Sequence, residues 1–567
     1  MRRHDLPADR VAIWIDWQSI HQDHPETLGK GVRSLIKYTT LCTYMLIPVD
    51  KAELSYSEAT YAEYIPNYGE RSWCRIENFI FSLWAEMQPG QQDVQLYAVL
   101  LDGQLHQYPK VKVRDAQFMP TGGELTKPED RTIIKEIEDR MIEAYGVGLV
   151  WKACEADDLN GTVELTNKML RACHMKELGE ALASTNLTMP VTVLNLQANE
   201  LGVTGIVQLA SVLSSESGHT LHQVNISANL LKADPPSLGH QGGTSLAEAI
   251  KLNPSLTKLN MADNKLLAGE NGVALGQALA TNPRVSHLNL NGNCLGSSGG
   301  KAIGEAMRSN SNLVSLSLSN NDLDGAAALA IADALSVDSG TAVSLKTLSL
   351  AHNPIAGEPA RKLAQAIFAH PCLEMLSGMP LRKLREGAPK LDAQTKGLGP
   401  LEGLVLAELL KGGAPVSELN LRGNPLGLEG VRGIADALRT NAAVTTLSLK
   451  KTAIDKYGCR ALAEVLRDNS TLRRLDLSEN KVGSKGVNAL AEAIKVNGGL
   501  AHVSLAVNKL DFGAHPDVGR ALALAIKINC DGKGKLKTCD LRGNTIDDEA
   551  KKLIKGLMKG VNSEIQW

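Results

Sequence analysis

The side chains of this sequence that could do chemistry are dispersed and do not form a known catalytic motif. The sequence lacks a G-x-x-x-x-G-K-[ST] phosphate loop, an H-E-x-x-H zinc motif, a C-x-x-C pair and an acidic calcium-binding loop. Its 9 cysteines are scattered between Cys42 and Cys539 without the spacing of metal ligands, so we predict no metal site and no cofactor. Charged residues recur instead at regular intervals in the second part of the chain.

These intervals belong to a repeated segment that fits the template L-x-x-L-x-L-x-x-N-x-L. Clear copies are VTVLNLQANEL (191–201), VSHLNLNGNCL (285–295), VSELNLRGNPL (416–426) and LRRLDLSENKV (472–482). We expect the asparagine to turn inward at the end of a short strand, where its amide satisfies backbone groups that the bend leaves unpaired. The predicted structural asparagines are Asn199, Asn229, Asn264, Asn293, Asn321, Asn353, Asn424, Asn480, Asn508 and Asn544.

The rest of each repeat predicts a helix packed behind the strand. In 431–441 the residues Val431, Ile434, Ala435 and Leu438 form one apolar stripe at helical spacing. Parallel strands stack about 4.8 Å apart whereas helices need roughly 8–10 Å, so a stack of such units must curve. We predict an α/β solenoid of about 13 repeats over residues 155–567, a horseshoe with parallel strands on its concave side and helices on its convex side. The pattern resembles the ribonuclease-inhibitor type of leucine-rich repeat.

The pattern is irregular at residues 371–397, where strand-like fragments occur without a full helix between them. Lys396 stands in the position of the asparagine, four residues before Pro400. We therefore predict a shortened repeat and a local kink there. At the ends of the solenoid, residues 163–172 are expected to form a degenerate first repeat, and residues 550–560 a final capping helix.

The outward strand positions predict a binding groove. They are neutral in the first half of the repeats and carry both signs of charge in the second half. We expect a protein partner to bind this concave face, with the residues Glu418, Arg422, Lys450, Arg474, Asp476, His502, Asp540 and Arg542. The chain has 60 basic and 62 acidic residues, a balance that argues against nucleic acid or a membrane surface as partner.

The first 150 residues have a different composition. Of the 21 aromatic residues, 17 lie between Trp14 and Trp151, which indicates a separate domain over residues 1–150. Apolar strands at 11–20, 43–50 and 93–103 alternate with helices at about 31–42, 65–87 and 128–146. Such alternation predicts a small three-layer α/β domain with a parallel sheet covered on both faces.

The order of Trp14-Ile15-Asp16, a glycine-containing turn, a helix, a strand and then Trp73-Cys74-Arg75-Ile76-Glu77 resembles the middle of a Toll/interleukin-receptor (TIR)-like domain. It is also similar to the related fungal heterokaryon-incompatibility domain. The resemblance covers residues 11–105 and lacks the first strand and helix of a TIR domain, so we expect an incomplete domain. In enzymatic members of the TIR family the glutamate of W-x-x-x-E belongs to a site that cleaves NAD, and the matching residue is Glu77. A carboxylate there could bind ribose hydroxyls or stabilise a cationic glycosyl transition state.

The sequence thus predicts a cytoplasmic interaction module or scaffold, which the resemblance places in immune-type signalling. One alternative is a TIR-like NAD-cleaving enzyme regulated by the repeats, with Glu77 as its catalytic residue. A second alternative is an activator of a small GTPase, which would need an arginine such as Arg422 or Arg542 to act on a bound nucleotide.

Overall fold

The computed structural model describes residues 44–49, 79, 95–100, 105–108, 119–122, 130–155, 160–184, 187, 189–229, 236–336, 344–532 and 534–567. The predicted strand at 11–20 and the predicted helix at 31–42 lie outside these residues, as does the predicted helix at 65–87 apart from Phe79. Among the described residues, no helix combines the length and the apolar character needed to cross a bilayer. The chain divides into two compact units, residues 1–191 with 198–201 and residues 192–197 with 202–567.

The first unit contains a small mixed sheet. β1 (Tyr44–Val49) runs parallel to β2 (Gln95–Leu100), and β2 pairs with β3 (Leu105–Tyr108) in the antiparallel sense. The predicted strands at 43–50 and 93–103 therefore pair in parallel as expected, and the antiparallel β3 is an additional strand that the sequence analysis did not predict. The sequence carried a signal for this hairpin, because Asp102-Gly103 between two apolar runs is a strong hairpin pattern.

A long helix, Asp130–Glu155, follows and continues nine residues past the predicted end at 146. Gly146 lies inside this helix because of a close approach: a Cβ there would stand 2.3 Å from Nε2 of His174. The His174 ring is fully buried, its Nδ1 accepts from the Arg171 amide at 2.7 Å, and burial lowers its pKa. Beyond the helix, β4 (Thr162–Glu164) lies at the start of the segment 163–172 predicted as a degenerate first repeat, and the helix Cys173–Leu182 follows that segment.

The second unit alternates three-residue strands with helices. One sheet contains β5 (Val193–Asn195), β6 (Gln223–Asn225), β7 (Lys258–Asn260), β8 (His287–Asn289), β9 (Ser315–Ser317), β10 (Thr347–Ser349) and β11 (Met375–Leu376) in this order. Another contains β12 (Lys390–Asp392), β13 (Glu418–Asn420), β14 (Thr446–Ser448), β15 (Arg474–Asp476), β16 (His502–Ser504), β17 (Thr538–Asp540) and β18 (Glu564–Gln566). All neighbours of the second sheet pair in parallel, as the alternating leucines predict.

Behind the strands stand the helices, and the core between them consists of leucine, isoleucine, valine and alanine side chains. The helices are Gly202–Ser214, Pro236–Leu252, Glu270–Thr281, Gly296–Ser309, Gly325–Leu335, Gly357–Ala369, Leu381–Arg385, Pro400–Lys411, Gly427–Ala437, Lys456–Leu466, Gly483–Val496, Pro516–Asp531 and Asp548–Leu557. The predicted α/β solenoid is confirmed in this part of the chain.

The template asparagines, which we call the ladder asparagines, join each repeat to its neighbour. Asn480 is representative: its Oδ1 accepts from the amides of Thr452 and Ile454, both at 3.0 Å. Its Nδ2 donates to the carbonyls of Leu449 at 2.8 Å and Leu477 at 2.9 Å. One buried amide side chain thus satisfies two donors and two acceptors of the backbone. The other nine asparagines are buried or half-buried, and eight of them make bonds of the same kind. Asn229 donates through Nδ2, but its Oδ1 has no partner in the described residues.

Thr452 occupies one asparagine position, and its hydroxyl donates to the Leu449 carbonyl at 2.6 Å. In several repeats the asparagine of the following repeat accepts from the backbone amide at the asparagine position, as Asn480 does from the Thr452 amide. The described residues provide no such acceptor for the Asn424 amide, because Thr452 stands in the following repeat. We expect Thr452→Asn to supply it and to raise the free energy of unfolding by about 1 kcal/mol. Urea denaturation measures the change, and Thr446→Asn on the strand face is the matched control. A destabilised Thr452→Asn variant would contradict this account of the position.

A second row of buried asparagines lies at the C-terminal ends of the helices. Nδ2 of Asn469 donates to the Leu438 carbonyl at 2.7 Å, and its Oδ1 accepts from the amides of Thr471 and Leu472 at 3.1 and 2.9 Å. Asn253, Asn282, Asn310, Asn441 and Asn497 bond in the same way, and Asn529 in a longer loop. The sequence signal was an asparagine three residues before a leucine or valine, which the strand template does not include.

The sheet is interrupted in the shortened repeat. Within residues 344–532, β11 pairs with β10 and β12 pairs with β13, but no ladder joins β11 to β12. The five-residue helix Leu381–Arg385 lies between them. The Arg385 guanidinium donates to the carbonyls of Ile367, Phe368 and Leu373 at 3.1, 3.0 and 2.9 Å, and so caps the preceding helix.

A buried carboxyl group bridges this interruption. Glu402 is 2% exposed, and its Oε1 accepts from the Ser377 hydroxyl at 2.7 Å. The same hydroxyl oxygen accepts from the Leu350 amide at 3.0 Å, so a chain of two bonds leads from β10 to Glu402. Oε2 of Glu402 accepts from the Gly399 amide at 2.8 Å at the start of its own helix. Burial raises the pKa of Glu402, and its hydrogen bonds from Ser377 and Gly399 offset part of that rise.

At the C-terminal end, the predicted final helix spans Asp548–Leu557. It is followed by β18, which the sequence analysis did not predict and which pairs with β17. Residues 561–567 contain only Val561, Ile565 and Trp567 as apolar residues, too few to show the strand period.

Candidate functional site

Strands β12 to β18 form an outward surface that we call the C-terminal strand face. The first residue of each strand forms one row, and the third residue forms a second row. The first row is Lys390, Glu418, Thr446, Arg474, His502, Thr538 and Glu564. The second row is Asp392, Asn420, Ser448, Asp476, Ser504, Asp540 and Gln566. All of these residues are exposed or half-buried, whereas the residue between them in each strand from β12 to β17 is buried.

The corresponding face of β5 to β11 has a different character. Its outward residues are mainly asparagine, serine, threonine and glutamine, with Lys258 and His287 as the titratable side chains. Burial lowers the pKa of His287, and the charge of Lys258 on the neighbouring strand β7 lowers it further. The outward face is thus mainly neutral on β5 to β11 and charged on β12 to β18, as the outward positions in the sequence predict.

A cleft of about 850 Å³ lies on the C-terminal strand face, over β14 to β17. Six of the eight predicted binding residues line it: Lys450, Arg474, Asp476, His502, Asp540 and Arg542. Glu418 and Arg422, the other two, stand on and just after β13 and do not line the cleft. Sequence reasoning missed Thr446, Ser504 and Thr538, whose small polar side chains line the cleft between the charged residues.

Three ion pairs hold charged side chains on or beside the face. Lys390 pairs with Glu418 at 2.8 Å and Lys450 with Glu479 at 2.8 Å. The Lys450 ammonium lowers the pKa of Glu479.

Arg542 holds Asp540 through two bonds of 2.9 Å, from Nε to Oδ1 and from Nη2 to Oδ2, and these lower the pKa of Asp540. Such pairs have no net charge to offer a partner unless they open, and exposed ion pairs contribute roughly 0–1 kcal/mol each.

Arg474 and His502 take part in none of these ion pairs. Arg474 is exposed, and no hydrogen-bond or ion-pair partner holds its guanidinium within the described parts of the chain. His502 is its neighbour in register on β16, and Nδ1 of His502 lies 2.7 Å from the Thr538 hydroxyl. Burial lowers the pKa of His502, and the positive charges of Arg474 and Lys537 lower it further. The end of the cleft that Arg474 and His502 form is therefore electropositive, because no anion in the described residues pairs with Arg474.

Val507 lies at the opposite end of the cleft. It follows β16 and is 49% exposed. Its backbone has φ +54°, a left-handed conformation that branched side chains rarely adopt. The equivalent position in other repeats holds glycine, asparagine or aspartate, as at Gly292 and Asn320, but also alanine, histidine, lysine or glutamate, as at Ala198 and Glu479. An exposed apolar residue is thus held in a strained conformation on the wall of the cleft.

The sequence analysis also made predictions about a catalytic residue and about metal binding. Glu77 lies outside the described residues. No cluster of three or more histidine, cysteine, aspartate or glutamate side chains suited to a metal ion occurs in the described ranges.

Comparison with known proteins bears on the repeats. A family model described as leucine-rich repeat matches residues 281–304, 309–332, 415–435 and 468–491. A search of curated protein sequences found no match.

Similar solved structures include Rad7 in its complex with Elc1 from yeast, 14% identical over 75% of this chain and 96% of that chain, with a TM-score of 0.30. The TLR13–ssRNA13 complex is 17% identical over 71% of this chain and 48% of that chain, with a TM-score of 0.29. Leiomodin-1 actin-binding site 2 is 22% identical over 28% of this chain and 86% of that chain, with a TM-score of 0.24.

The matched residues all lie within the strand-and-helix repeats described above, and the ladder asparagines Asn293, Asn321, Asn424 and Asn480 belong to matched repeats. Stacked repeats of this kind create the extended surfaces through which solenoid proteins bind other proteins. The family model, together with the parallel strand ladder and the buried asparagines, shows that this part of the chain contains leucine-rich repeats.

Proposed function

We propose that this chain is a protein-interaction module that binds its partner on the C-terminal strand face. The observation that carries the proposal is the cleft over β14 to β17, which brings together seven charged or titratable side chains on or just after four strands. The strands are three residues long and fixed by parallel ladders on both sides, so the side chains are held in a regular array. A rigid array of this kind loses little conformational entropy on binding.

The charge pattern supports a protein partner over nucleic acid. Asp476 and Asp540 lie in the same cleft as Arg474, and the whole chain has two more acidic than basic residues. A phosphate backbone would meet repulsion from these carboxylates, whereas a protein surface can present both signs of charge. The cleft has no tryptophan or tyrosine, the usual centres of tight complexes, so we propose a reversible interaction.

The two alternative functions gain less support. NAD cleavage depends on Glu77 and on the TIR resemblance alone. For an activator of a small GTPase, Arg542 would have to leave its two bonds to Asp540, and Arg422 stands outside the cleft. We further propose that residues 1–150 form a separate domain beside the repeats of 155–567, and that this domain is a second docking surface.

Site-specific photocrosslinking tests the proposed function. A benzoylphenylalanine is introduced at Thr446, which lines the cleft, and in a matched variant at Asn488, which is exposed on the helix Gly483–Val496. After irradiation in cells, we expect a defined protein adduct from position 446 and none of the same mass from position 488. Equal labelling from both positions, or no adduct from 446, would contradict the proposal.

A further inference from the structure

We propose that the cleft binds an extended segment of a protein partner, with an acidic side chain of the segment on Arg474 and His502 and an apolar side chain on Val507. The inference rests on the proposed function and names the chemistry of the partner. Three observations support it: an unpaired cationic end, a strained apolar end and a cleft of the right length between them.

The cationic end is built by two strands. Arg474 and His502 are register neighbours on β15 and β16, and parallel neighbours stand about 4.8 Å apart. A carboxylate between them can take a charge-assisted hydrogen bond from the guanidinium and a second one from the imidazole Nε2–H. The Thr538 hydroxyl, 2.7 Å from Nδ1, fixes the orientation of the ring. Burial lowers the pKa of His502, and the positive charges of Arg474 and Lys537 lower it further.

The apolar end is exposed at a conformational cost. Glycine, asparagine and aspartate occupy the position of Val507 in some repeats and adopt a positive φ more readily than valine, whereas alanine, histidine, lysine or glutamate occupies it in others. Among the described repeats only this one has a branched apolar side chain there, and we assign this exposed side chain to contact with the partner. Burial of this side chain by a partner removes apolar surface from water.

The distance between the two ends suits an extended peptide. Val507 follows His502 by five residues, and fully extended chain would advance about 16 Å over that length. Because β16 ends at Ser504 and the chain turns at 506–507, the two ends are closer than this, and a segment along β16 needs its acidic and apolar residues no more than about five positions apart. The cleft spans this length, since residues from both ends line it.

Acidic residues in the middle of the cleft limit the charge of the occupant. Asp476 accepts from the amide of Ser478 at 2.9 Å and from its hydroxyl at 2.6 Å, and no cation pairs with it in the described residues. A polyanion would be repelled there, while a segment with a single carboxylate would not. The occupant is thus an acidic–apolar protein segment and not a phosphate chain.

Capped peptides provide the probe. The full chain is titrated, by fluorescence anisotropy, with acetylated and amidated ten-residue peptides in which glutamate and leucine are fixed two to five positions apart among glycine, serine and asparagine. We expect at least one spacing to bind, with Arg474→Gln weakening it about tenfold or more and Arg520→Gln, an exposed substitution on the helix Pro516–Asp531, leaving it unchanged. Glutamine in place of the peptide's glutamate should weaken binding to a similar degree.

Val507→Asn separates binding from folding. We expect this variant to melt at the same or a higher temperature than wild type, because asparagine accepts the positive φ, and yet to bind the peptide at least about threefold more weakly. A purely structural role for Val507 would not produce this combination.

Other results would overturn the inference. These are absence of binding by every capped peptide, equal binding by the glutamine peptides, binding only when the peptide's terminal carboxylate is free, or preferential binding of single-stranded RNA. If the peptides fail while the crosslinker at Thr446 still captures a protein, the proposed function stands and this segment chemistry is wrong. If both fail, the proposed function is wrong as well.

Discussion

Asn424→Ala is expected to lower the free energy of unfolding by about 4 kcal/mol. Asn424 is fully buried, and its Oδ1 accepts from the amides of Lys396 and Leu398, both at 3.0 Å. Its Nδ2 donates to the carbonyls of Ala393 and Leu421 at 2.8 and 2.9 Å. Alanine leaves two amides and two carbonyls without a partner in a site that water cannot reach, at about 1–3 kcal/mol for each unsatisfied group. Urea denaturation followed by circular dichroism measures the loss.

Asn420→Ala is the matched control in the same repeat. Asn420 lies half-buried on the strand face, and its Nδ2 donates to Asp392 at 3.0 Å where water can replace the bond. We expect a loss within about 1 kcal/mol. Hydrogen exchange should show faster exchange at Lys396 and Leu398 in Asn424→Ala alone. Equal losses for the two variants would show that the ladder asparagine has no special role.

Glu402→Gln is expected to stabilise the protein at neutral pH and to lose this advantage in acid. Burial raises the pKa of Glu402, so the folded protein holds the proton at pH values where the unfolded chain has released it. The wild-type protein therefore loses stability as the pH rises from the ordinary glutamate pKa through the raised one. Glutamine is neutral throughout and retains an oxygen to accept from Gly399 and an amide to bond Ser377.

Melting temperatures between pH 4 and pH 8 test this expectation. The difference between Glu402→Gln and wild type should grow with pH and then level off. Glu408→Gln is the control on the same helix, where the carboxylate forms an exposed pair with Lys411 at 3.0 Å. Its effect should stay small across the range. A Glu402→Gln difference that does not vary with pH would show that the buried group keeps its charge without cost.

The repeats could be predicted from the sequence because each one carries its own period. Leu447, Leu475 and the ladder asparagines recur at intervals of 28 residues in the regular stretches, and the spacing alone fixes which side chains face the core. The helix-end asparagines such as Asn469 repeat as clearly, but they lie in loops for which the strand template gives no expectation. In the first unit, the antiparallel β3 was missed although Asp102-Gly103 marks a turn.

The site was harder to predict than the fold, for a physical reason. The sequence shows that Arg474 and Arg542 both point outward, but it does not show which carboxylate each one reaches. Arg542 folds back onto Asp540 two residues earlier, whereas Asp476, two residues after Arg474, bonds hydroxyl groups instead. Rotamers and neighbouring strands decide these pairings, and they determine which charge is available to a partner.

The missing ladder between β11 and β12 also divides the mechanics of the solenoid. In a linear array, each repeat is stabilised by coupling to its nearest neighbours, and here one coupling has lost its strand contribution. What remains is helix packing, the Ser377–Glu402 bond and the clamp of Glu429 on Arg361 at 3.0 Å and on the Gly357 amide at 2.7 Å. We therefore expect unfolding that starts at the C-terminal end to stop at this junction, so that residues 390–567 unfold as one cooperative block. The charged cleft belongs to that block, so the binding surface can be lost while the neutral half of the repeats stays folded.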